Sequence, residues 1–131
     1  MSTKRIQIAA NTTGAGGAAT GAGRAGVPGG IARLVGLQVD YHADAPAGTD
    51  VTITSQIGGV TKTLLTLTDR NADLPMTKIT EALLDDVGVA VANTENPNLG
   101  LPICQGELVV DVAQADALTP AVTVDAVFEV G

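Results

Sequence analysis

The sequence predicts an all-β fold: an antiparallel β-sandwich, jelly-roll-like or immunoglobulin-like, of about seven or eight strands, with an extended Gly/Ala-rich N-terminal arm. Short segments of alternating apolar and polar residues recur along the chain, as in strands whose side chains point alternately to opposite faces of a sheet. Segments rich in Gly, Pro, Asp and Asn separate them, as turns do. Hydrophobic residues make up 45% of the chain, enough for a core, although Tyr41 and Phe128 are its only aromatic side chains.

Residues 1–30 are predicted to form a strand and a flexible Gly/Ala-rich arm, and residues 31–131 the sandwich domain. Ile6 and Ile8 would share one face of the short strand. From Asn11 to Gly30 almost every residue is Gly, Ala or Thr. Such a segment buries too little apolar area to offset the entropy lost on ordering, so it is not expected to fold alone.

The arm is therefore expected to lie extended along the surface of a partner, because its glycines permit close approach of another backbone. Ile6 and Ile8 are its apolar anchors, and Arg5 and Arg24 would add ion pairs with acidic groups. These four residues are the predicted partner contacts.

The sandwich is predicted to begin with a strand over residues 31–41. Its alternation places Leu34, Gly36, Gln38 and Asp40 on one face, and on the other Arg33, Val35, Leu37, Val39 and Tyr41. A turn is expected over residues 42–49. A β-branched strand over residues 51–55, Gly58-Gly59 and a returning strand over residues 61–68 then predict a tight hairpin.

The middle of the chain fits two alternatives. A helix capped by Thr77 would place four apolar residues on one face, namely Ile79, Leu83, Leu84 and Val87. The same stretch fits two strands, residues 79–83 and 87–92, joined by a turn at Asp85-Asp86. Strands are the preferred interpretation, and residues 93–100 are expected to form a loop.

The last third of the chain predicts two more strands, joined by a turn over residues 114–120. In each strand an apolar face alternates with mostly polar residues, namely Glu107, Val109 and Asp111 in the first strand and Thr123, Asp125 and Glu129 in the second. The apolar faces consist of Leu108, Val110 and Val112 in the first strand and of Val122, Val124, Ala126, Phe128 and Val130 in the second.

The net charge of −7 and the isoelectric point of about 4.3 argue against several partners. A polyanion repels nucleic acid and anionic lipid, and the seven cations are scattered along the chain. No apolar run approaches the roughly 18 residues that a membrane-spanning helix needs. No signal peptide is recognisable, so we expect cytoplasmic synthesis without a secretion route, and neither nucleic acid nor a membrane as partner.

No catalytic, cofactor-binding or metal-binding residue is predicted, and the protein is not expected to be an enzyme. His42 is the only histidine and lies in a turn; Cys104 is expected to be a small buried filler. The residues Gly21 to Gly26 match G-x-G-x-x-G, but the following Val27-Pro28 excludes the helix that a dinucleotide site requires.

A calcium loop is also disfavoured. Asp69, Asn71 and Asp73 have the spacing that opens such a loop, but Leu74 stands where Gly is needed and Thr80 where Glu is needed. These residues are expected to form a plain Asx-rich turn.

Oligomerisation is inferred by elimination. A domain with few aromatic residues has a thin core, which small proteins usually support with a disulfide, a metal or a second subunit. Cys104 has no second cysteine to pair with, and His42 has no second histidine for a metal cluster. A homo-oligomer remains.

The region from Ile31 to Val130 resembles the β-sandwich head decoration, or cement, proteins of tailed bacteriophages. The resemblance rests on four segments, namely residues 37–42 (LQVDYH), 45–54 (APAGTDVTIT), 65–69 (LTLTD) and 101–116 (LPICQGELVVDVAQAD). Residues 75–93 depart from the family pattern.

The resemblance implies a virion structural protein on the outer capsid surface, made in a host bacterial cytoplasm. Such proteins bind the major capsid protein and are often trimers. Two other functions stay open: another phage structural subunit of the neck or tail, and a ligand- or sugar-binding β-sandwich module. The sugar module is less favoured because sugar sites usually present aromatic platforms, whereas Tyr41 and Phe128 are expected to point inward.

Overall fold

The computed structural model describes residues 2–79, 81–82 and 99–130, and in these residues every regular element is a β-strand. The predicted all-β class is confirmed. The strands are β1 (Ser2–Ala10), β2 (Ala19–Tyr41), β3 (Asp50–Ile57), β4 (Val60–Leu67), β5 (Leu74–Lys78), β6 (Glu81–Ala82), β7 (Leu99–Gly100), β8 (Ile103–Ala115) and β9 (Val122–Val130). The predicted turn at Asp85-Asp86 and the strand over residues 87–92 lie outside the described residues.

Seven strands form one antiparallel sheet in the order β1-β9-β2-β8-β3-β4, with β5 also paired to β2. Strand β2 has 23 residues and changes partner near Arg33. Its first half pairs with β8 and its second half with β9. The sheet therefore folds over on itself. The first layer contains β1, β9, the second half of β2 and β5; the second layer contains the first half of β2, β8, β3 and β4.

Glycines allow β2 to turn between the layers. Gly26 pairs with Glu107 and Ile31 with Gln105, so β2 carries a bulge over residues 27–30. Gly29, Gly30 and Gly106 have φ angles of 69°, 83° and 73°. These values lie in the left-handed region that residues with a Cβ avoid, which explains the glycines at this corner.

The core lies between the two layers and is almost wholly aliphatic. Phe128 is fully buried and Tyr41 is 9% exposed, so both aromatic residues point inward as predicted. Cys104 is also fully buried, as expected of a filler. The largest fully buried aliphatic side chains come from both layers: Ile8, Leu34, Leu37, Val39, Val122 and Val124 from the first, and Val51, Ile53, Leu108 and Val110 from the second.

The segment predicted to be an arm is part of the sheet. Strand β1 pairs with β9 over its whole length, and residues 19–26 pair with β8. Ile8 and Val27 are buried in the core of their own chain. The structure thus differs from the predicted domain boundary at residue 31. Gly and Ala bury little area themselves, but ladder hydrogen bonds to β8 and β9 order this segment.

Two details of the strands are informative. The predicted hairpin is confirmed, since Ile57 pairs with Val60 around Gly58 and Gly59, which both have positive φ. The predicted faces of the strand after Ile31 are wrong at its start, because Leu34 is fully buried.

The cause of that error is a bulge at Val35. Leu34 pairs with Phe128 and Gly36 with Val127, so Val35 is an extra residue on β2. One extra residue reverses which side chains face the core. Leu34 therefore joins Leu37 in the interior, although strict alternation would place them on opposite faces.

Candidate partner-binding surface

The four residues predicted to contact a partner lie in three different places. Arg5 lies on the outer face of the first layer, and Arg24 on the outer face of the second. Ile8 is 2% exposed in the core, and Ile6 packs against the core while half-buried. Ile6 and Ile8 thus pack against their own chain, which differs from the predicted docking of both onto a partner.

Arg5 has a structural role in the sheet. Its Nη2 donates a hydrogen bond of 2.8 Å to Oδ2 of Asp125, whose side chain is 8% exposed while that of Arg5 is 57% exposed. A nearly buried carboxylate needs such a charged partner. The pair therefore ties β1 to β9. Arg24, by contrast, lies 3.9 Å from Glu107 with both side chains exposed, a distance at which an ion pair contributes little.

Two exposed isoleucines lie close together where β2 turns between the layers. Ile31 is 57% exposed and Ile103 is 40% exposed. Ile31 pairs with Gln105 and Arg33 with Ile103, so both isoleucines lie on the same outer face of the β2–β8 ladder. We call Ile31 and Ile103 the apolar corner.

Gln105 fixes the hairpin tip to this corner. Its side-chain Oε1 accepts a 2.9 Å hydrogen bond from the amide of Gly58, two residues before Val60. Ser55 adds two more bonds, donating to the carbonyl of Gln105 at 3.3 Å and accepting from its amide at 3.2 Å. The apolar corner is thus presented by hydrogen-bonded strands, and it needs little ordering on binding.

Sequence reasoning missed the apolar corner, although a signal was present. Ile31 and Arg33 flank Ala32, and Ile103 and Gln105 flank Cys104. In both stretches the small residue is the buried one, so the isoleucine must face solvent. Aliphatic residues grouped on the outer face of a strand are typical of binding surfaces.

A polar cleft of about 520 Å³ lies on the outer face of the second layer. It opens where β8 bulges away from β3, between the pairs Thr54–Val109 and Gln56–Gln105. Its lining is rich in hydroxyl, amide and charged groups, from Arg24, Thr54, Ser55, Gln56, Thr61 and Glu107.

The residues considered for chemistry hold backbone in place. His42 Nδ1 accepts a 3.0 Å hydrogen bond from the amide of Asp44. Asn71 donates to the carbonyl of Ala45 at 2.9 Å, and Asp73 accepts from the amide of Tyr41 at 2.8 Å. Among residues 2–79, 81–82 and 99–130, no three His, Cys, Asp or Glu side chains are grouped as a metal site.

Asp69 and its neighbours match the predicted Asx-rich turn. The amide of Asp69 donates to Oδ1 of Asp50 at 2.9 Å, and Asp69 has a φ angle of 51°. Asp and Asn tolerate this conformation better than most residues.

No helix in the part of the chain that the structure describes is long and apolar enough to cross a membrane. The sequence matches no protein-family model and no curated protein.

Proposed function

We propose that this protein is a virion structural protein that decorates and cements the outside of a phage capsid by binding the major capsid protein. The apolar corner is the observation that carries the proposal. Ile31 and Ile103 expose aliphatic surface on the hydrogen-bonded ladder of β2 and β8, and buried apolar anchors dominate most protein interfaces. The resemblance of residues 31–130 to phage decoration proteins supplies the identity of the partner.

The protein is proposed to act as a homotrimer on the outer capsid surface after synthesis in the host bacterial cytoplasm. Its almost wholly aliphatic core offers modest stability to a single copy, and a second subunit adds stability by mass action. The net charge of −7 argues against nucleic acid or an anionic membrane as a partner. Light scattering at micromolar concentration tests the trimer, which a stable monomer would contradict.

The capsid contact is tested with a double variant of the apolar corner, Ile31→Ser with Ile103→Ser. Binding to purified capsids that lack this protein should weaken by at least about tenfold, which is about 1.4 kcal/mol, because two apolar anchors are lost. Val60→Ser is the matched control, since Val60 is 69% exposed but lies on β4, outside the corner. Unchanged binding by the double variant would refute the corner as the capsid contact.

A second candidate function is supported by the polar cleft. Hydroxyl and amide groups of Thr54, Gln56 and Thr61 line a cavity large enough for a small saccharide, so the cleft favours a ligand-binding module. Glycan-array binding that is lost in Gln56→Ala and retained in Met76→Ser would support this function over capsid attachment.

A further inference from the structure

An apolar groove of about 240 Å³ lies on the outer face of the first layer and shares no lining residue with the apolar corner or the polar cleft. Val35, Gly36, Met76, Lys78 and Val127 line it. Val35 and Val127 are half-buried, and Met76 is 40% exposed. The groove therefore exposes aliphatic surface that the fold does not use for its own core.

The groove exists because Gly36 has no side chain. A Cβ at Gly36 would lie 3.1 Å from Sδ of Met76 and 3.1 Å from the carbonyl oxygen of Thr77. Gly36 pairs with Val127 on one side and with Lys78 on the other. The groove is thus formed by three hydrogen-bonded strands, β9, β2 and β5, so it is present before any partner binds.

Positive charges rim the groove. Arg5 pairs with Val127, so the row across four strands reads Arg5, Val127, Gly36, Lys78. In the next row, Arg33 pairs with Glu129.

The carboxylates of this face are less accessible than its cations. Arg5, Arg33 and Lys78 are exposed, whereas Glu129 is half-buried and Asp125 is buried beneath Arg5. Asp40, the third carboxylate described on this face, is also half-buried, so the cations are the more accessible groups although the two signs of charge are equal in number. A partner that approaches the groove therefore meets cationic groups first, which favours an acidic partner.

We propose that this groove binds an acidic segment of a partner protein, which inserts one aliphatic side chain between Met76 and Val127. Carboxylates that flank the inserted side chain would pair with Lys78 and Arg33. Both charge complementarity and apolar burial would then contribute to recognition. The inference rests on this face alone and does not depend on the assignment to a capsid.

The test is an NMR titration of the full chain with the capped peptide Asp-Glu-Leu-Glu-Asp. The methyl signals of Met76 and Val127 should shift to saturation. The shifts should vanish when Ser replaces the peptide leucine or Lys replaces its acidic residues, and binding should weaken as salt is raised.

Lys78→Glu and the nearly isosteric Val127→Thr should each weaken binding at least about tenfold. Arg24→Glu, the same charge change on the opposite layer, should leave it unchanged.

Three results would overturn the proposal: no saturable shift, equal shifts with the lysine peptide, or shifts that map outside the groove. Concentration-dependent shifts of the same methyl groups without peptide would also overturn it, since they would assign the groove to a second copy of this chain.

Discussion

Gly21 and Gly23 show at the level of single residues why the N-terminal third is rich in glycine. A Cβ at Gly21 would overlap the carbonyl oxygen of Asn11, and one at Gly23 that of Ala9. The Gly23 Cβ would also lie 2.8 Å from Cγ2 of Ile8. These glycines let β2 approach β1 at backbone distance, so they are packing residues of the fold.

Gly23→Ala should therefore destabilise the protein. Overpacking of this kind costs about 1–3 kcal/mol, because the methyl group meets backbone that cannot move aside. Urea unfolding should show a lower midpoint. Gly26→Ala is the matched control, since a Cβ there meets nothing within 4 Å and its φ is not left-handed. That variant should be neutral or slightly more stable, and equal loss in both variants would contradict the packing role.

Tyr41 is a second position where one side chain makes a testable difference. Its hydroxyl is buried without a hydrogen-bond partner among the described residues. Burial raises the pKa of Tyr41 above 10.0, with a lowering contribution from Arg70 and raising ones from Asp50 and Asp73. The unfolded chain therefore loses the tyrosine proton at lower pH than the folded chain, so stability falls as pH rises through and above about 10.

Tyr41→Phe should remove this pH dependence. At neutral pH the variant should be at least as stable as the wild type, because an unsatisfied buried hydroxyl is lost. Between about pH 9 and pH 11 the wild type should lose more free energy of unfolding than the variant. Since Tyr41 is the only tyrosine, its ultraviolet absorbance reports the ionisation directly. Identical pH profiles for both proteins would disprove the assignment.

The strands differ in how far the sequence predicted them. The strands of the last third and the hairpin at Gly58-Gly59 follow from alternation and turn chemistry, which are local. The first half of β2 could not be found in this way, because its pairing with β8 joins Gly21 to Val112, far away in sequence. Local composition indicated a segment with too little apolar area to fold alone. In the structure, backbone hydrogen bonds to β8 order this segment, whose Gly and Ala side chains bury little apolar area.

Strand β1 should consequently be essential to the fold. Deleting residues 2–10 removes Ile8 and Ala10 from the core, uncovers β9, and leaves the carboxylate of Asp125 without Arg5. Cooperative thermal unfolding, followed by circular dichroism, should disappear or shift to much lower temperature. Gln7→Thr, an exposed change within β1, should leave it intact. A truncated chain that melts like the full one would show that β1 is a dispensable tail.

In the part of the chain that the structure describes, one seven-stranded sheet folds into two layers and β6 pairs with β7 in a second, small sheet. The surface features lie on different parts of the large sheet. The apolar corner lies where β2 turns, the polar cleft lies on the second layer, and the apolar groove lies on the first. Composition predicted a binding protein with an aliphatic core, but it did not locate these surfaces. The corner depends on Ile31 and Ile103 meeting across the ladder, and the groove depends on the register that sets Gly36 beside Val127 and Lys78.

Copy number in purified virions is the measurement that tests the central proposal most directly. A decoration protein covers a capsid built from many identical subunits, so quantitative mass spectrometry should find it in the hundreds per virion, in fixed ratio to the major capsid protein. Treatment that strips the head surface should release it while the capsid shell stays whole. A few dozen copies or fewer would assign it to the neck or tail, and its absence from virions would contradict the structural role altogether.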